Sequence, residues 1–416
     1  MSADGRDSSR SSSKSSGVAA DAAASFTVKV HPRIADIPAA EWDACAGGDN
    51  PFLCHAFLEA LESSGSATAE TGWLPQHLAL EEDGGGRLLG VAPLYLKSHS
   101  YGEYVFDWGW ANAYERAGGR YYPKLQCAVP FTPATGPRLL VRADAPDPDA
   151  VAQGLTAAMV ELAQRHKASS VHVTFPTRGE WERLGEAGFL LRQGQQFHWE
   201  NHAYRSFDDF LNELASRKRK QIRRERRDAT ADGALVIRAL TGRDIEPRHW
   251  DAFFRFYRQT SSRKWGSAYL TRRFFDLIGE RMADRIVLMM AERTADKRLV
   301  AGALNLIGRD ALYGRNWGAV VDVPFLHFEM CYYQAIDFAI ERGLARVEAG
   351  AQGQHKIARG YLPTPVYSSH WIADPALRTP VSRFLDHERA AMTEEMEWLE
   401  EAYSPFRHAD PEGGTP

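Results

Sequence analysis

The groups best suited to chemistry gather between Ala345 and Ile372. His355, Lys356 and Arg359 follow the run Gly350-Ala351-Gln352-Gly353 and stand just before Gly360. Glycine tolerates positive φ and lets another molecule approach the backbone closely. Cations beside exposed amides suit a phosphate, a carboxylate or a developing oxyanion. The pattern predicts a short strand at Arg346–Glu348, a glycine turn, a basic half-turn, and a second strand at Val366–Ile372 beyond Pro363 and Pro365. A surface loop with solvated charges is the competing reading of the same residues.

Two carboxylates are candidates for a base. On a helix predicted over Phe325–Arg342, the residues His327, Gln334, Asp337 and Glu341 form a polar side. Glu329 falls instead with Phe325, Tyr332, Ile336 and Ala339 on the apolar stripe. A carboxylate there must be paired, protonated or facing a cleft. Burial raises its pKa toward the range of a general base accepting a proton from an amine. A plain salt bridge, for instance to Arg315, accounts for it equally well. Glu348, at the end of its strand beside the glycine turn, is the alternative base.

A third concentration of chemistry is cationic. Ser206–Asp228 reads as one helix, opened by the capping sequence Ser206-Phe207-Asp208-Asp209 and with Phe207, Phe210, Leu211, Leu214 and Ile222 on its apolar face. Arg217–Arg227 then places eight cations in eleven positions, with Glu225 as the sole local counter-charge. Such a run repels itself unless an anion lies nearby. tRNA phosphates, a pyrophosphate-linked precursor, a CoA phosphate and an anionic membrane face all qualify, and a solvated charge run is the bland alternative. Arg223 and Arg224 are the expected phosphate contacts.

The segment Ser98–Leu140 is rich in aromatic residues, among them Tyr101, Tyr104, Trp108, Trp110, Tyr114, Tyr121 and Tyr122, with Glu103, Asp107 and Lys124 interspersed. Aromatic rings stack on a sugar or a planar group while polar neighbours orient it. They serve equally well to bury an otherwise unsupported loop. Tyr101, Glu103, Asp107, Trp108 and Lys124, together with Arg315 and Trp317, are the candidate acceptor contacts.

The elements that must position these groups fall into two similar series in a chain of 416 residues, long enough for about two domains. Helices Pro38–Cys45 and Phe52–Ser63, a hairpin of Gln76–Glu81 and Arg87–Lys97, helix Ala150–His166, strand Val171–Pro176, helix Arg178–Gly188 and strand Phe189–Glu200 make the first. Helices Trp250–Ser261 and Thr271–Met282, the hairpin Ile286–Glu292 and Arg298–Gly308, strand Ala311–Trp317 and helix Phe325–Arg342 make the second. Arg87-Leu88-Leu89-Gly90-Val91-Ala92 resembles Arg298-Leu299-Val300-Ala301-Gly302-Ala303, and His198-Trp199 resembles His370-Trp371. A duplication explains both matches, with Ser98–Leu140 as extra length in the first copy. The expected division is a disordered tail over 1–24, one domain over 25–200 with the insertion 98–140, a second over 201–374 with the basic helix 206–228, and a helical tail over 375–416.

Composition excludes several classes. A formal net charge of −4 argues against general coating of nucleic acid, so a polyanion site must be local. Cys45, Cys54, Cys127 and Cys331 are scattered without metal-type spacing, and no metal is expected. No apolar run approaches the ~20 residues of a membrane helix, and the Ser- and Ala-rich start lacks the apolar stretch of a secretory signal, so a cytoplasmic location is expected.

Several stretches carry a family resemblance. Arg217-Lys218-Arg219-Lys220-Gln221-Ile222-Arg223-Arg224 after an apolar helix start resembles FemAB-type transferases of the GNAT-like superfamily, and three further motifs, Tyr101–Trp108, Tyr121-Tyr122-Pro123-Lys124-Leu125 and Gly350–Gly360, fall in the order found in FemAB-like proteins. The match runs over most of residues 26–374 and is sharpest over 207–372. The resemblance implies an α/β (α+β) fold of tandem GNAT-like (acyl-CoA N-acyltransferase-like) domains, with mixed sheets flanked by helices and an acceptor groove along or between them. Its best-known members move an amino acid from aminoacyl-tRNA to an amine of a peptidoglycan precursor. Two departures matter: the long coiled-coil arm of some members is absent from the second half, and Gln352–Ile357 does not fit the acetyl-CoA fingerprint of ordinary GNAT enzymes.

The function expected is transfer of an acyl or aminoacyl group, by direct attack, onto an amine of a small molecule or cell-envelope precursor. No tightly bound cofactor is expected. The donor is aminoacyl-tRNA, held in part by 217–227, or acyl-CoA. Lys356, Arg359, His355 and Gly353 are assigned to donor phosphate or oxyanion contacts, and Glu329, Glu348 and Lys356 to catalysis. The rivals are a non-catalytic precursor-binding protein, since a fold does not fix function, and a CoA-dependent acylator of a small amine.

Overall fold

The computed structural model describes residues 26–230, 233–265, 268–351 and 353–407. The expected tail over 1–24 lies outside the described residues, as do residues 408–416 of the C-terminal segment.

Strands Phe26–His31, His77–Glu82, Leu88–Ala92 and Leu140–Val141 form a four-stranded sheet in that order. An eleven-stranded sheet carries the rest. It runs from Leu235–Thr241 through Ile286–Arg293, Leu299–Ile307, Ala311–Ala319 and Arg346–Glu348 to Leu190–Glu200. From there it continues through Leu362–Ile372, Ser170–Thr174, Lys124–Cys127 and Leu94–Lys97 to Trp73–Pro75. Helices flank both sheets. The helix Pro148–Arg165 is typical: Asp147 caps it, Pro148 opens it, and Val151, Leu155, Met159 and Leu162 are buried at helical spacing.

Backbone pairing brings the two short sequence matches to equivalent places. Leu80 pairs with Gly90 and Glu81 with Leu88, so the first hairpin carries a bulge. In the second hairpin Ala291 pairs with Ala301 and Glu292 with Leu299, a bulge at the same point. The strands Leu190–Glu200 and Leu362–Ile372 pair antiparallel about Gly194 and Val366, with His198 opposite Leu362 and His370 opposite Leu190. Each then leaves its own half. The end of the first pairs with Arg346–Glu348, and the end of the second pairs with Ser170–Thr174. Consequently His198 stands opposite Glu348, and His370 opposite His172.

Some expectations change. The helix predicted over Ser206–Asp228 is two helices, Phe207–Glu213 and Ser216–Ala229. The break falls at Leu214, which bridges to Phe406, while the Ala215 N–H donates to the Pro405 carbonyl at 2.9 Å. The strand Arg87–Lys97 divides at Pro93, which cannot donate to a ladder, and its parts enter different sheets. The segment 98–140 is not irregular throughout: Trp108–Arg116 is a helix and Lys124–Cys127 a strand of the large sheet. The second strand of the glycine region starts earlier than expected, at Leu362, with Pro363 and Pro365 inside it. Pro375–Tyr403 forms one long helix, N-capped by Asp374 and bearing on the exchanged strands. No helix among the described residues is long and apolar enough to cross a membrane.

Candidate active site

Ala311–Ala319 and Arg346–Glu348 run parallel for three residue pairs, ending at Tyr313 and Glu348. Past that point the strands part. Gly314–Trp317 forms one wall of a cleft of about 240 Å³, and Glu348–Ala351 the other. The helix Pro247–Trp265 closes a third side with Tyr257 and Ser261, and Tyr104 and Thr132 reach in from the N-terminal half.

Arg315 enters this cleft through a bulge. Leu304 pairs with Asn316 and Asn305 with Gly314, leaving Arg315 as the extra residue in its strand. A bulge breaks the alternation of faces and re-aims a side chain. The guanidinium packs beside Phe52, Phe57 and Phe274, with ring centroids 5.6, 5.0 and 5.8 Å away. Its Nη1 donates to the Thr132 hydroxyl, whereas buried Nε and Nη2 have no acceptor among the described residues. No carboxylate pairs with it among the described residues, and burial lowers its pKa to about 10. A desolvated cation with two idle donors is a receptor for an anion.

Glu348 faces the cleft from the opposite wall. Its Oε1 accepts from Arg346 Nε at 2.9 Å. Its buried Oε2 accepts no hydrogen bond among the described residues, and His198 Nε2 lies 3.9 Å away. Burial raises the Glu348 pKa above its ordinary value even though Arg346 pulls it down. His198 is driven down to about 3 by burial and by Arg346 and Lys356, so it is a neutral neighbour.

The structure brings Glu348, Arg315 and Trp317 together and puts the other expected residues elsewhere. Glu329 is buried as its stripe required, but its partner is Arg226 and not Arg315. Arg226 donates Nε and Nη2 to the two carboxylate oxygens at 3.1 and 3.0 Å, and Gln334 adds a third bond at 2.7 Å. Glu329 begins a π-helical stretch, Glu329–Tyr333, between the helical turn Leu326–Phe328 and the helix Gln334–Glu341. The predicted continuous helix is thus interrupted where Tyr332 and Cys331 reach the cleft.

Lys356 is buried, and its Nζ donates to the carbonyls of Ala349 and Gly350 at 2.9 and 2.8 Å. It staples the glycine turn from behind, and burial lowers its pKa to about 8. Arg359 is likewise turned inward: Nε and Nη2 bind Glu225 at 3.2 and 2.9 Å, with the guanidinium 3.5 Å from the Phe328 ring centroid. Glu225 also accepts from Tyr333 and Gln221. His355 is exposed, with Nε2 3.0 Å from the Tyr332 hydroxyl. Gly353, at φ +113°, lines an adjoining groove. Arg223 is exposed and bonded to Asp208 at 2.9 Å, and Arg224 is exposed on the same helix.

The acceptor candidates of the aromatic segment split in two. Tyr101 and Trp108, with ring centroids 4.9 Å apart, line a separate hollow. Glu103, Asp107 and Lys124 form a buried cluster beneath it. Lys124 Nζ donates to Glu103 at 2.7 Å and to Asp107, and the Tyr121 hydroxyl donates to Asp107 at 2.7 Å. Burial pushes Glu103 up to about 7, against the pull of Lys124. Burial also opposes ionisation of Asp107, yet Lys124 and His172 outweigh it and hold Asp107 below the carboxylate range. These three groups bond to one another and fix the loop. The residues that sequence reasoning missed at the cleft include Tyr104, Thr132, Tyr257 and Asn305. Of these only Tyr104 stood in a motif that had drawn attention.

Comparison with solved structures agrees with this architecture. FemX is 13% identical, with 83% of this chain and 98% of that chain covered at a TM-score of 0.52, which shows a shared fold. A tandem GNAT protein from the clavulanic acid pathway (12% identical, 84% and 99% covered, TM-score 0.44) and L-PGS from Bacillus licheniformis (8%, 82% and 98%, 0.47) are further matches. The fold is a mixed α/β arrangement of two sheets flanked by helices, shared with FemX. The family model described as peptidoglycan biosynthesis/recognition matches residues 33–408, and the chain belongs to this FemAB-like family. No curated protein matches the chain.

Proposed function

We propose that this protein is an N-acyltransferase that moves an acyl or aminoacyl group onto an amine of a peptidoglycan-related precursor. The observation that carries the reading is the pair of buried, incompletely bonded groups facing one cleft: Arg315 with two idle donors and Glu348 with an idle oxygen. Arg315 holds an anionic part of the donor or its developing oxyanion. Glu348, made more basic by burial, takes the proton as the amine nitrogen bonds to the carbonyl carbon. The C–O bond of an ester or the C–S bond of a thioester then breaks, and the proton returns to the leaving alkoxide or thiolate. The donor is aminoacyl-tRNA or acyl-CoA. Arg217, Lys220, Arg224 and Arg227 recur at helical spacing, and all are exposed, a stripe that fits a phosphate backbone.

The test is a transfer assay with labelled aminoacyl-tRNA or acetyl-CoA as donor and amine-bearing envelope precursors as acceptors. Transfer that is lost in Glu348→Gln, with donor binding kept, is the expected result. Precursor binding without transfer from either donor would replace this reading with that of a binding protein.

A further inference from the structure

One group in the cleft has no part in the reading above. Cys331 is half-buried, belongs to the π-helical stretch Glu329–Tyr333, and lines the same cavity as Arg315 and Glu348. Turns of π-helix are rare and gather at functional sites. The hydroxyls of the cleft are poorer nucleophiles. That of Thr132 is held by Arg315, and that of Tyr332 bonds His355 at 3.0 Å. Burial raises the Tyr104 hydroxyl to about 12 and lifts that of Tyr313 as well. The aliphatic hydroxyls of Thr260 and Ser261 are weak nucleophiles unless a base activates them. A thiol yields its anion far more readily. The remaining cysteines do not line this cavity: Cys45 and Cys127 are buried in the core, and burial lifts Cys54 to about 11.

The surroundings of Cys331 suit acyl chemistry. Arg315 Nε and Nη2, buried and without an acceptor among the described residues, fit the oxyanion of a tetrahedral intermediate. Glu348 Oε2, buried and accepting no hydrogen bond among the described residues, fits a proton in transit. Lys356 Nζ is tied to the carbonyls of Ala349 and Gly350, two residues of the cleft wall. Burial lowers the Lys356 pKa, and the charge of Cys331 opposes that fall. Such coupling is mutual, so the Lys356 cation favours the Cys331 thiolate. At about 240 Å³ the cleft is also smaller than the roughly 300–1,000 Å³ of sites that enclose a whole drug-sized ligand. A relay that admits donor and acceptor in turn suits it better than a reaction that needs both at once.

We propose that Cys331 is a catalytic nucleophile that takes the acyl group from the donor and hands it to the amine, so that transfer runs through an S-acyl enzyme. The inference rests on the functional reading above and divides its transfer into two displacements. In the first, the thiol gives its proton to Glu348 and Sγ bonds to the donor's carbonyl carbon. The oxyanion forms against Arg315, the donor's C–O or C–S bond breaks, and Glu348 returns the proton to the leaving alkoxide or thiolate. In the second, the amine nitrogen bonds to the same carbon and Glu348 takes its proton. The bond from that carbon to Sγ then breaks, and the proton goes back to the sulfur.

The test uses the full chain with acetyl-CoA, and then with aminoacyl-tRNA, in the absence of acceptor. Intact-mass spectrometry should show one acyl group gained per chain, mapped to Cys331 and released by neutral hydroxylamine, which cleaves thioesters. Amine-bearing envelope precursors should discharge it, and rates at varied donor and acceptor should follow the parallel pattern of a ping-pong sequence. Cys331→Ala should lose adduct and transfer while still binding donor. Cys331→Ser keeps the size of the side chain and should fall nearly as far, a loss that a merely structural role does not require. Iodoacetamide gives a readout apart from transfer: Cys331 should be alkylated fastest of the four thiols, and loading with donor should protect it. Parent-level transfer by Cys331→Ala, or intersecting kinetics with no adduct, would overturn the proposal and leave the transferase reading standing. An adduct that no amine discharges would keep Cys331 and overturn the acceptor half of that reading. Absence of both adduct and transfer with either donor, or alkylation of Cys331 no faster than of Cys54, would overturn the proposal.

Discussion

Each half of the molecule contains the same opening between two parallel strands, and the two openings have opposite fates. In the C-terminal half the strands part after Tyr313 and Glu348 and leave a cleft. In the N-terminal half Lys124–Cys127 and Ser170–Thr174 pair through Leu125, Gln126 and Cys127, and the chain beyond them fills the gap. Arg138 is the plug. It is buried, and its guanidinium donates to the carbonyls of Thr174, Gly136, Pro137 and Ala134 at 2.8–3.0 Å. Arg315 is the counterpart residue type in the open cleft, held by one hydroxyl. The histidine positions differ as well: His370 meets His172 with Nδ1 atoms 2.6 Å apart, whereas His198 bonds Gln196 at 3.3 Å and stands 3.9 Å from Glu348. At Arg138 every guanidinium nitrogen donates to a carbonyl, so the residue is structural. At Arg315 two buried donors, and across the cleft one oxygen of Glu348, have no hydrogen-bond partner among the described residues, and such buried groups are costly unless a ligand completes them.

The largest effect expected from breaking this contrast is on chemistry. Glu348→Gln should cut transfer by about 10²–10⁴-fold with little change in unfolding temperature, read by initial rates and by calorimetry. Next come the two arginines. Arg138→Met strands three buried carbonyls and one half-buried one, and should cost about 3 kcal/mol or more in denaturant unfolding. Arg315→Met removes a buried unpaired charge and should leave stability unchanged or raised by about 1 kcal/mol, while donor affinity falls. Equal losses of stability in both would refute the contrast.

The pH dependence sharpens it further. A carboxylate whose folded pKa is raised binds its proton more tightly in the native state. It therefore favours folding most at low pH, and that contribution is lost as pH rises from the ordinary carboxylate value through the raised one. Transfer should rise over the same interval, with a midpoint above the usual carboxylate range. Glu348→Gln should flatten that part of the stability curve, which unfolding titrations at several pH values would read. The smallest effect belongs to Arg224→Ala. It should leave stability within about 0.5 kcal/mol and reduce the salt slope of tRNA binding by about one contact.

Much of this was legible in the sequence. Arg346–Glu348 is a strand with the expected ends, and the His198 and His370 matches fall at symmetric positions. Glu329 was rightly placed on a buried stripe, because helical periodicity tells which face a residue takes. It does not tell what lies opposite, and the partner proved to be Arg226, over a hundred positions away. Lys356 and Arg359 illustrate the same limit. A glycine turn with cations looks like a ligand cradle from its local pattern, yet these side chains point inward to the carbonyls of Ala349 and Gly350 and to Glu225. The bulge that delivers Arg315 depends on strand register, which no single segment encodes.

The exchanged strands bear on how the chain is made. Ser170–Thr174 and Leu190–Glu200 leave the ribosome long before Leu362–Ile372, the strand that lies between them in the finished sheet. Through most of synthesis the N-terminal half therefore waits with a slot in its middle and unpaired backbone on both sides, the kind of surface that invites wrong partners. The closing strand arrives just ahead of the final helix, so one late event latches both halves. A nascent chain stalled before Leu362 would leave neither half complete.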